Sequence, residues 1–454
     1  MSDVYDLAIL GGGPGGYVAA ERAGAHDLRA AVIENANLGG VCLNHGCIPS
    51  KTLLYSSKIF KTAQNAGAYG VSVSGDISFD LSVAMERKTS VIQKLRGGIG
   101  YLMKSNKVDV HKGWGCFAGP NKLAITAEDG TETQIEAKNV LISTGSAPVR
   151  IPIPGYDLPH VVTSTEMLEI KTLPKAAVIM GGGVIGMEFA CFLSNVGVPV
   201  TVVEMLPEIV PGIDPELAVM LRKALPRVTY KLGTKVTEIT ADVVKVETAN
   251  GVEEIPADLV LMSVGRRPNV EGLGFETIGL DFDRFGIAVD DHMRTNVPGV
   301  YAAGDVTGKA ALAHTASRMG EVAVNHIVGR PDVMRYNAIP WVIYTDPEVA
   351  GVGETEASLK AEGTAFDVAS FPMTANGRFL TDNENGKGIC KVLVEKESRV
   401  LRGVHLFGSH ASEMIFGMAA MLETELRVRD VRDIVFPHPT VSEVFREALF
   451  HLAE

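Results

Sequence analysis

Two cysteines five positions apart, in Cys42-Leu-Asn-His-Gly-Cys47, are the chain's sharpest chemical feature. A loop this short closes into a disulfide at little entropic cost. Only Cys116, Cys191 and Cys390 accompany them, an odd and sparse set unlike a secreted disulfide framework. In a reducing compartment a surviving close pair is usually catalytic or redox-sensing. Two buried thiols and a metal site are the competing readings. A metal needs further ligands at suitable spacing, and His45 alone does not complete a set, so no metal is expected. Thiol–disulfide exchange also needs a base, because the thiolate is the nucleophile. Histidine is the usual proton acceptor near neutrality. Among 11 histidines, His438 stands apart in His438-Pro-Thr-Val-Ser-Glu443. Glu443 can orient one of its ring nitrogens and stabilise the imidazolium.

Such a pair needs an electron source and an electron sink, and the flanking sequence offers sites for both. Tyr5–Leu10 reads as a strand, Gly11–Gly16 as a turn, about 15–25 as a helix and Leu28–Glu34 as a second strand. Gly11, Gly13 and Gly16 fit G-x-G-x-x-G, with the acid Glu34 ending the next strand. The glycines allow a tight turn, close approach of backbone to a pyrophosphate, and close helix–strand packing. The helix N-terminus offers free N–H groups to phosphates, and the acid can bind ribose hydroxyls. The unit recurs with the strand Ala176–Met180, then Gly181, Gly183 and Gly186, and Glu204 in the place of Glu34. One such motif is weak evidence. Two in matching context predict two dinucleotide sites.

The remaining chain is ordinary in composition. Its 454 residues are 46% hydrophobic and 21% charged, enough for about three domains. A net charge of −12 argues against nucleic acid or an anionic membrane as the main partner. No apolar run is long enough to span a bilayer, and MSDVYDLAIL has no secretory n-region, so a cytoplasmic location is expected. Leu53–Leu102 reads as mainly helical and 108–143 as β-rich, closing on Gly145. Pro148–Pro159 reads as a domain crossing. An apolar strand from Leu259 ends on Gly265, and Gly299–Asp305 reads as a buried strand ending in an acid. From Ile339 strands are expected near 366–371, 388–395 and 400–406, with helices near 411–427 and 441–452.

Cys42–Lys51, as C-L-N-x-G-C-I-P-S-K between two dinucleotide units, resembles the pyridine nucleotide–disulfide oxidoreductases. The resemblance spans essentially the whole chain and includes Thr295–Asp305, Ile339–Glu348 and His438–Glu443. It implies an α/β fold with two Rossmann-like domains and a C-terminal α+β dimerisation domain. FAD would occupy 1–150 with 272–338, NAD would occupy 151–271, and 339–454 would form the dimer interface. Gly11, Gly13, Gly16, Glu34, Lys51, Gly145, Asp305, Ala313 and His314 would meet FAD. Gly181, Gly183, Gly186, Glu204 and Gly265 would meet NAD. Cys42 becomes the interchange thiol and Cys47 the flavin-proximal one. Lys51 lies near the reactive flavin nitrogen and pairs with Glu188. His438 and Glu443 reach the disulfide of the other subunit, so a homodimer is implied.

The resemblance is strongest to the members that oxidise dihydrolipoyl groups with NAD⁺, and it implies a lipoyl-bearing partner from a 2-oxo acid dehydrogenase complex or the glycine cleavage system. NADP recognition needs basic side chains, and Val203-Glu-Met-Leu-Pro207 has none, so NAD is expected over the NADP of glutathione-type relatives. Mercuric-type relatives carry an extra cysteine pair near the C-terminus; here no cysteine follows Cys390. A non-catalytic nucleotide-binding protein is disfavoured by the intact Cys42, Cys47, Lys51, His438 and Glu443. His45 fills the variable position of the disulfide stretch and has no role implied by the resemblance. Cys116, Cys191 and Cys390 read as structural thiols.

Overall fold

The computed structural model describes residues 4–383 and 386–452. Its first unit is a parallel sheet around β1 (Tyr5–Leu10), flanked by β2 (Ala30–Glu34) on one side and Glu132–Ile142 on the other. The β1 side chains are almost wholly buried, as an apolar run covered on both faces requires. Asp109–Lys112 extends the sheet beyond β2, and Val300–Ala302 adds in parallel beyond Ile142. The long strand Glu132–Ile142 serves two pairings. Its second half runs parallel to β1, with Leu10 opposite Ile142, while its first half pairs antiparallel with Lys122–Thr126.

After β1 the chain turns at Gly11 (φ +102°) into α1 (Pro14–Ala25). Proline at the first helical position suits the helix start. α1 packs closely against the helix Ala313–Ile327. A Cβ on Gly320 would stand 2.4 Å from the Gly15 carbonyl oxygen, so only glycine permits this approach.

The helical stretch expected over Leu53–Leu102 is two helices. The disulfide stretch forms α2 (Gly40–His45) and starts α3 (Cys47–Gln64). Residues 70–80 carry no helix, and α4 (Leu81–Ser105) follows. Asp80 caps α4 by accepting the Ser82 and Val83 N–H groups, which fixes where it begins.

The second unit repeats the first. Its parallel sheet runs in the order Val228–Lys231, Val200–Val203, Ala177–Met180, Leu259–Met262, Val161–Val162. An antiparallel sheet of Lys235–Ile239, Val243–Thr248 and Gly251–Pro256 lies beside it in sequence and was not anticipated. The helix Val184–Asn195 is buried from Gly186 onward, because α3 packs on one side through Leu53 and Leu54 while the sheet covers the other. This packing carries α3 across to the second unit.

The C-terminal unit is a five-stranded antiparallel sheet in the order Trp341–Ile343, Glu348–Gly353, Leu401–Gly408, Ile389–Glu395, Phe366–Pro372. The helices Ala411–Glu423 and Glu443–Phe450 cover it with a core that includes Ile415, Met418, Phe445 and Leu449. Three expected strands lie within two residues of the sequence reading, and its first two strands were missed. The helix expected to reach 427 ends at Glu423, where Glu425 takes φ +54° before a short helix Val428–Arg432. Lys391, almost fully buried, bridges Asp214 (2.8 Å) and Glu356 (2.7 Å), tying this sheet to the second unit.

Candidate active site

Cys42 and Cys47 are disulfide-bonded, with Cα atoms 4.7 Å apart. Gly46 breaks the chain between α2 and α3 and lets the two sulfurs face each other. The loop is seated on the first glycine turn. Gly39 (φ +97°) donates its N–H to the Gly12 carbonyl at 2.8 Å, and a Cβ on Gly40 would come within 2.6 Å of the Gly13 Cα. Asn44 holds the loop from within. Its amide donates to the carbonyls of Asn37, Leu38 and Gly40 at 2.9–3.3 Å, and its Oδ1 accepts two bonds from Arg96 of α4. The amide is therefore fully satisfied although buried, which fixes the loop in one geometry.

One turn after Cys47, Lys51 reaches the second unit. Its Nζ donates to both carboxylate oxygens of Glu188, at 2.9 and 2.8 Å. Glu188 is buried at 6% side-chain exposure and also accepts the Tyr344 N–H at 3.1 Å. The Lys51 ammonium lies 4.6 Å from the Tyr344 ring centroid, a cation–π contact. Lysine, acid and aromatic ring come from three separate units, and Tyr344 lay within the Ile339–Glu348 stretch of the resemblance without a role of its own.

These groups open onto a cavity of about 1040 Å³, at the upper end of the range for small-molecule sites. Gly11, Gly13, Glu34, Cys42, Cys47, Lys51, Gly145, Glu188, Asp305, Ala313 and His314 all line it. Gly16 does not. A Cβ there would collide with the Gly11 carbonyl oxygen at 1.8 Å, so Gly16 closes the turn rather than touching a ligand. Glu34 accepts the Gly12 and Ala36 N–H groups, each at 2.8 Å, and so braces the turn. The helix Ala313–Ile327 begins at the wall with no side-chain cap, leaving N–H groups for an acceptor. His314 donates from Nε2 to the Pro340 carbonyl at 2.8 Å, and burial lowers its pKa from the ordinary value.

Asp305 belongs to a network that the sequence reading did not contain. Ser146 donates its hydroxyl to Asp305, and Arg266 donates from Nε to the Ser146 hydroxyl (2.8 Å) and from Nη2 to its carbonyl (2.6 Å). Arg266 comes from the segment just past Gly265, paired antiparallel with Ser146–Pro148. A carboxylate, a hydroxyl and a partly buried guanidinium on one wall suit a polyhydroxyl chain with phosphates. The exposed glycine backbone, the free helix start and this polar wall together fit a bound dinucleotide such as FAD.

The second turn mirrors the first. Glu204 accepts the Gly182 N–H at 2.7 Å and the Leu206 N–H at 2.8 Å. A Cβ on Gly186 would fall 2.2 Å from the Gly181 carbonyl oxygen, whereas one on Gly183 or Gly265 would meet nothing within 4 Å. The open backbone at Gly183, at the start of the helix, is where a pyrophosphate can approach, so these residues fit NAD. The helix reaches the cavity wall through Val184, Ile185 and Glu188, so the two nucleotide sites converge there.

His438 and Glu443 are assembled but lie elsewhere. His438 Nδ1 is 2.9 Å from Glu443 Oε1, and the Thr440 N–H donates to Glu443 Oε2 at 3.0 Å. The Thr440 N–H and His438 hold the Glu443 carboxyl below its ordinary pKa. His438 is 80% exposed and neither residue is part of the cavity wall. Within one chain, the oriented base is not brought to the disulfide.

A redox disulfide between two glycine-turn nucleotide sites defines a class, and comparison with known proteins gives the same class. Residues 5–320 match the pyridine nucleotide-disulphide oxidoreductase family and 339–449 match its dimerisation domain. The chain belongs to the pyridine nucleotide–disulphide oxidoreductases. It is an enzyme, and FAD and NAD are its cofactors. Dihydrolipoyl dehydrogenase 3 of Pseudomonas putida is 41% identical, covering 99% of this chain and 98% of its own. The mitochondrial dihydrolipoyl dehydrogenase of Dictyostelium discoideum is 39% identical over 98% and 94%. Among solved structures, LpdA of Mycobacterium tuberculosis superposes with TM-score 0.91 at 28% identity, covering 99% and 100%. Among the described residues, no helix is long and apolar enough to cross a membrane.

Proposed function

We propose that the chain oxidises protein-bound dihydrolipoyl groups and reduces NAD⁺ as a homodimer. The observation that carries this reading is the disulfide's position on a cavity wall shared by the first glycine turn and the Lys51–Glu188 pair. Residues 1–150 with 272–338 hold FAD, 151–271 hold NAD, and 339–454 form the interface. Bound FAD supplies a two-electron relay between the dithiol and NAD⁺.

The protein's own residues do the rest. A substrate thiolate attacks the interchange sulfur, Cys42, and the Cys42–Cys47 bond breaks. The second substrate sulfur then closes on the first, releasing lipoyl disulfide and leaving the electron pair on the two cysteine sulfurs. His438 of the partner subunit accepts the substrate thiol proton, with Glu443 fixing its ring and balancing the imidazolium. The exposure of His438 supports a role met only on assembly. Lys51 places a positive charge beside the cofactor, and Glu188 balances it. Glu204 favours NAD, because each of its oxygens retains acceptor capacity for a 2′-hydroxyl while its charge repels a 2′-phosphate.

A lipoyl-bearing protein of a 2-oxo acid dehydrogenase complex or the glycine cleavage system is the proposed partner. The cytoplasm is the proposed compartment, supported by three cysteines left unpaired. The deciding experiment compares dihydrolipoamide with glutathione, and NAD⁺ with NADP⁺, in wild type and His438→Gln. Dihydrolipoamide with NAD⁺ should be the productive pair. His438→Gln should slow it by about 10²–10⁴-fold, the usual worth of a general base, while NADH-driven dye reduction persists. Equal loss of both activities would refute the base assignment.

A further inference from the structure

The loop 344–347 joins the first two strands of the C-terminal sheet, Trp341–Ile343 and Glu348–Gly353, which pair antiparallel. Ile343 and Val349, on either side of it, are fully buried in a core shared with Leu53 and Leu54 of α3. Thr345 is buried and donates its hydroxyl to the Pro347 carbonyl at 2.7 Å, and Glu348 accepts the Ser412 N–H at 2.9 Å. From this loop Tyr344 supplies the ring beside Lys51 and the N–H that Glu188 accepts. Asp346, two residues on, has no part in the mechanism above. Its carboxylate lies 2.9 Å from Lys61 Nζ and 3.4 Å from Lys58 Nζ, and both lysines belong to α3.

One loop therefore holds one helix at two places. Lys58 lies about two turns after Lys51 and Lys61 about one turn later, so the three ammonium groups share a side of α3. Lys51 and Lys61 stand about 15 Å apart along the axis. The packing of α3 on the helix Val184–Asn195 through Leu53 and Leu54 is apolar, and apolar contact has no direction. It resists separation better than a small roll or slide, and either would carry Lys51 with it. A charged contact at the far end of α3 supplies the missing direction. Asp346 suits the task because its side chain is only 27% exposed. Burial raises its pKa, but Lys61 and Lys58 outweigh that and hold it below its ordinary value, so it is charged at neutral pH. Two lysines on one acid form a network, which counts for more than an isolated surface pair.

We propose that Asp346 is a positioning residue: by holding the far end of α3 to the first hairpin of the C-terminal sheet, it keeps Lys51 against Glu188 and the Tyr344 ring at the cavity wall. The C-terminal unit then serves two sites. It lends His438 to the partner subunit, and through the loop 344–347 it fixes the charge beside the cofactor in its own chain. The inference rests on the proposed placement of Lys51 beside the flavin, where its positive charge favours the reduced cofactor.

The test is an anaerobic titration of the FAD-loaded enzyme against a two-electron redox dye, read as the ratio of reduced to oxidised dye that bleaches half the flavin absorbance. Lys51→Met should raise this ratio about tenfold or more, the effect of one nearby charge. No rise there would overturn the placement of Lys51 and this inference with it. With that rise in hand, Asp346→Asn should raise the ratio about three- to tenfold, in the range for residues coupled through a shared contact. Lys61→Met should move it the same way. The common sign is decisive, because the bare charges act oppositely: losing an anion eases flavin reduction and losing a cation hinders it. In the Lys51→Met background Asp346→Asn should add nothing, and Asp346→Glu should stay near wild type. Glu356→Gln removes a carboxylate that pairs with Lys391 elsewhere in the same unit and should leave the ratio unchanged. With Lys51→Met shifted, four results would each overturn the role of Asp346 alone. These are an unchanged or lowered ratio in Asp346→Asn, opposite shifts in Asp346→Asn and Lys61→Met, a shift that persists without Lys51, and an equal shift in Glu356→Gln.

Discussion

The Lys51–Glu188 pair makes an asymmetric prediction. Both charges take part in one bidentate contact, but Glu188 is 6% exposed while Lys51 is 32% exposed. Lys51→Met strands a buried carboxylate with only the Tyr344 N–H for company, and removing one partner of a buried pair costs about 3–5 kcal/mol. Glu188→Gln strands an ammonium that still has solvent and the Tyr344 ring, and it keeps an acceptor. That loss is about 1–2 kcal/mol, the scale of a hydrogen bond to a charged group. The double variant Lys51→Met with Glu188→Gln removes both charges, so it should be more stable than Lys51→Met alone. The expected coupling is about 1–3 kcal/mol, within the usual range for contacting residues. Guanidinium unfolding of the FAD-loaded protein, followed by circular dichroism at neutral pH, measures the cycle. Glu188→Gln proving as costly as Lys51→Met, or the two losses simply adding, would refute the assignment of burial and charge.

Two glycine substitutions should separate packing from ligand space. Gly16→Ala meets the Gly11 carbonyl at 1.8 Å and should abolish flavin retention, read as the 450 nm absorbance of purified protein being reduced by about tenfold or more. Gly183→Ala meets no protein atom, so it should fold with normal flavin content yet raise the KM for NAD⁺; an unchanged KM would count against the second site. A pH test concerns Glu166. Burial raises its pKa, but the Thr163 hydroxyl and N–H and the Arg150 guanidinium outweigh that and lower it from 4.5 to about 2. A depressed carboxyl stabilises the fold fully above its unfolded pKa and loses that contribution as pH falls through the folded one. Wild type should therefore melt above Glu166→Gln at pH 6, and the gap should close between pH 4.5 and 2. A gap that persists at pH 2 would show the loss to be packing rather than ionisation.

The two nucleotide turns were legible because their requirements are local. A strand, three glycines and an acid lie within a few dozen residues, and Glu34 and Glu204 make matching bonds to the backbone of their turns. The supports of the site were not legible, since each depends on residues far apart in the chain. Arg96 reaches Asn44 from another helix, and Arg266 reaches Asp305 through Ser146, 120 residues earlier. No spacing rule encodes such contacts before the fold exists. The antiparallel sheet over 235–256 had a readable signal. In Val243–Thr248, Val244 and Val246 are buried and alternate with less buried neighbours, and the Asn250-Gly251 dipeptide marks the hairpin, whose turn residues are Ala249 and Asn250. The strand Glu348–Gly353 was obscured by its two glycines and by burial on both faces, which removes alternation. Gly16 was expected to meet the cofactor, yet its tight contact is with the turn itself.

The separation of His438 from its own chain's disulfide has a consequence for inheritance. If each active site draws its disulfide from one copy and its base from the other, as proposed, defects follow the dimer rather than the gene. A chain lacking Cys47 and a chain lacking His438 should each be severely impaired as homodimers. Mixed together, they should form dimers in which one of the two sites is whole, so the two defective alleles should complement each other. A chain that carries both defects should do the opposite and impair both sites of any dimer it forms with a normal copy.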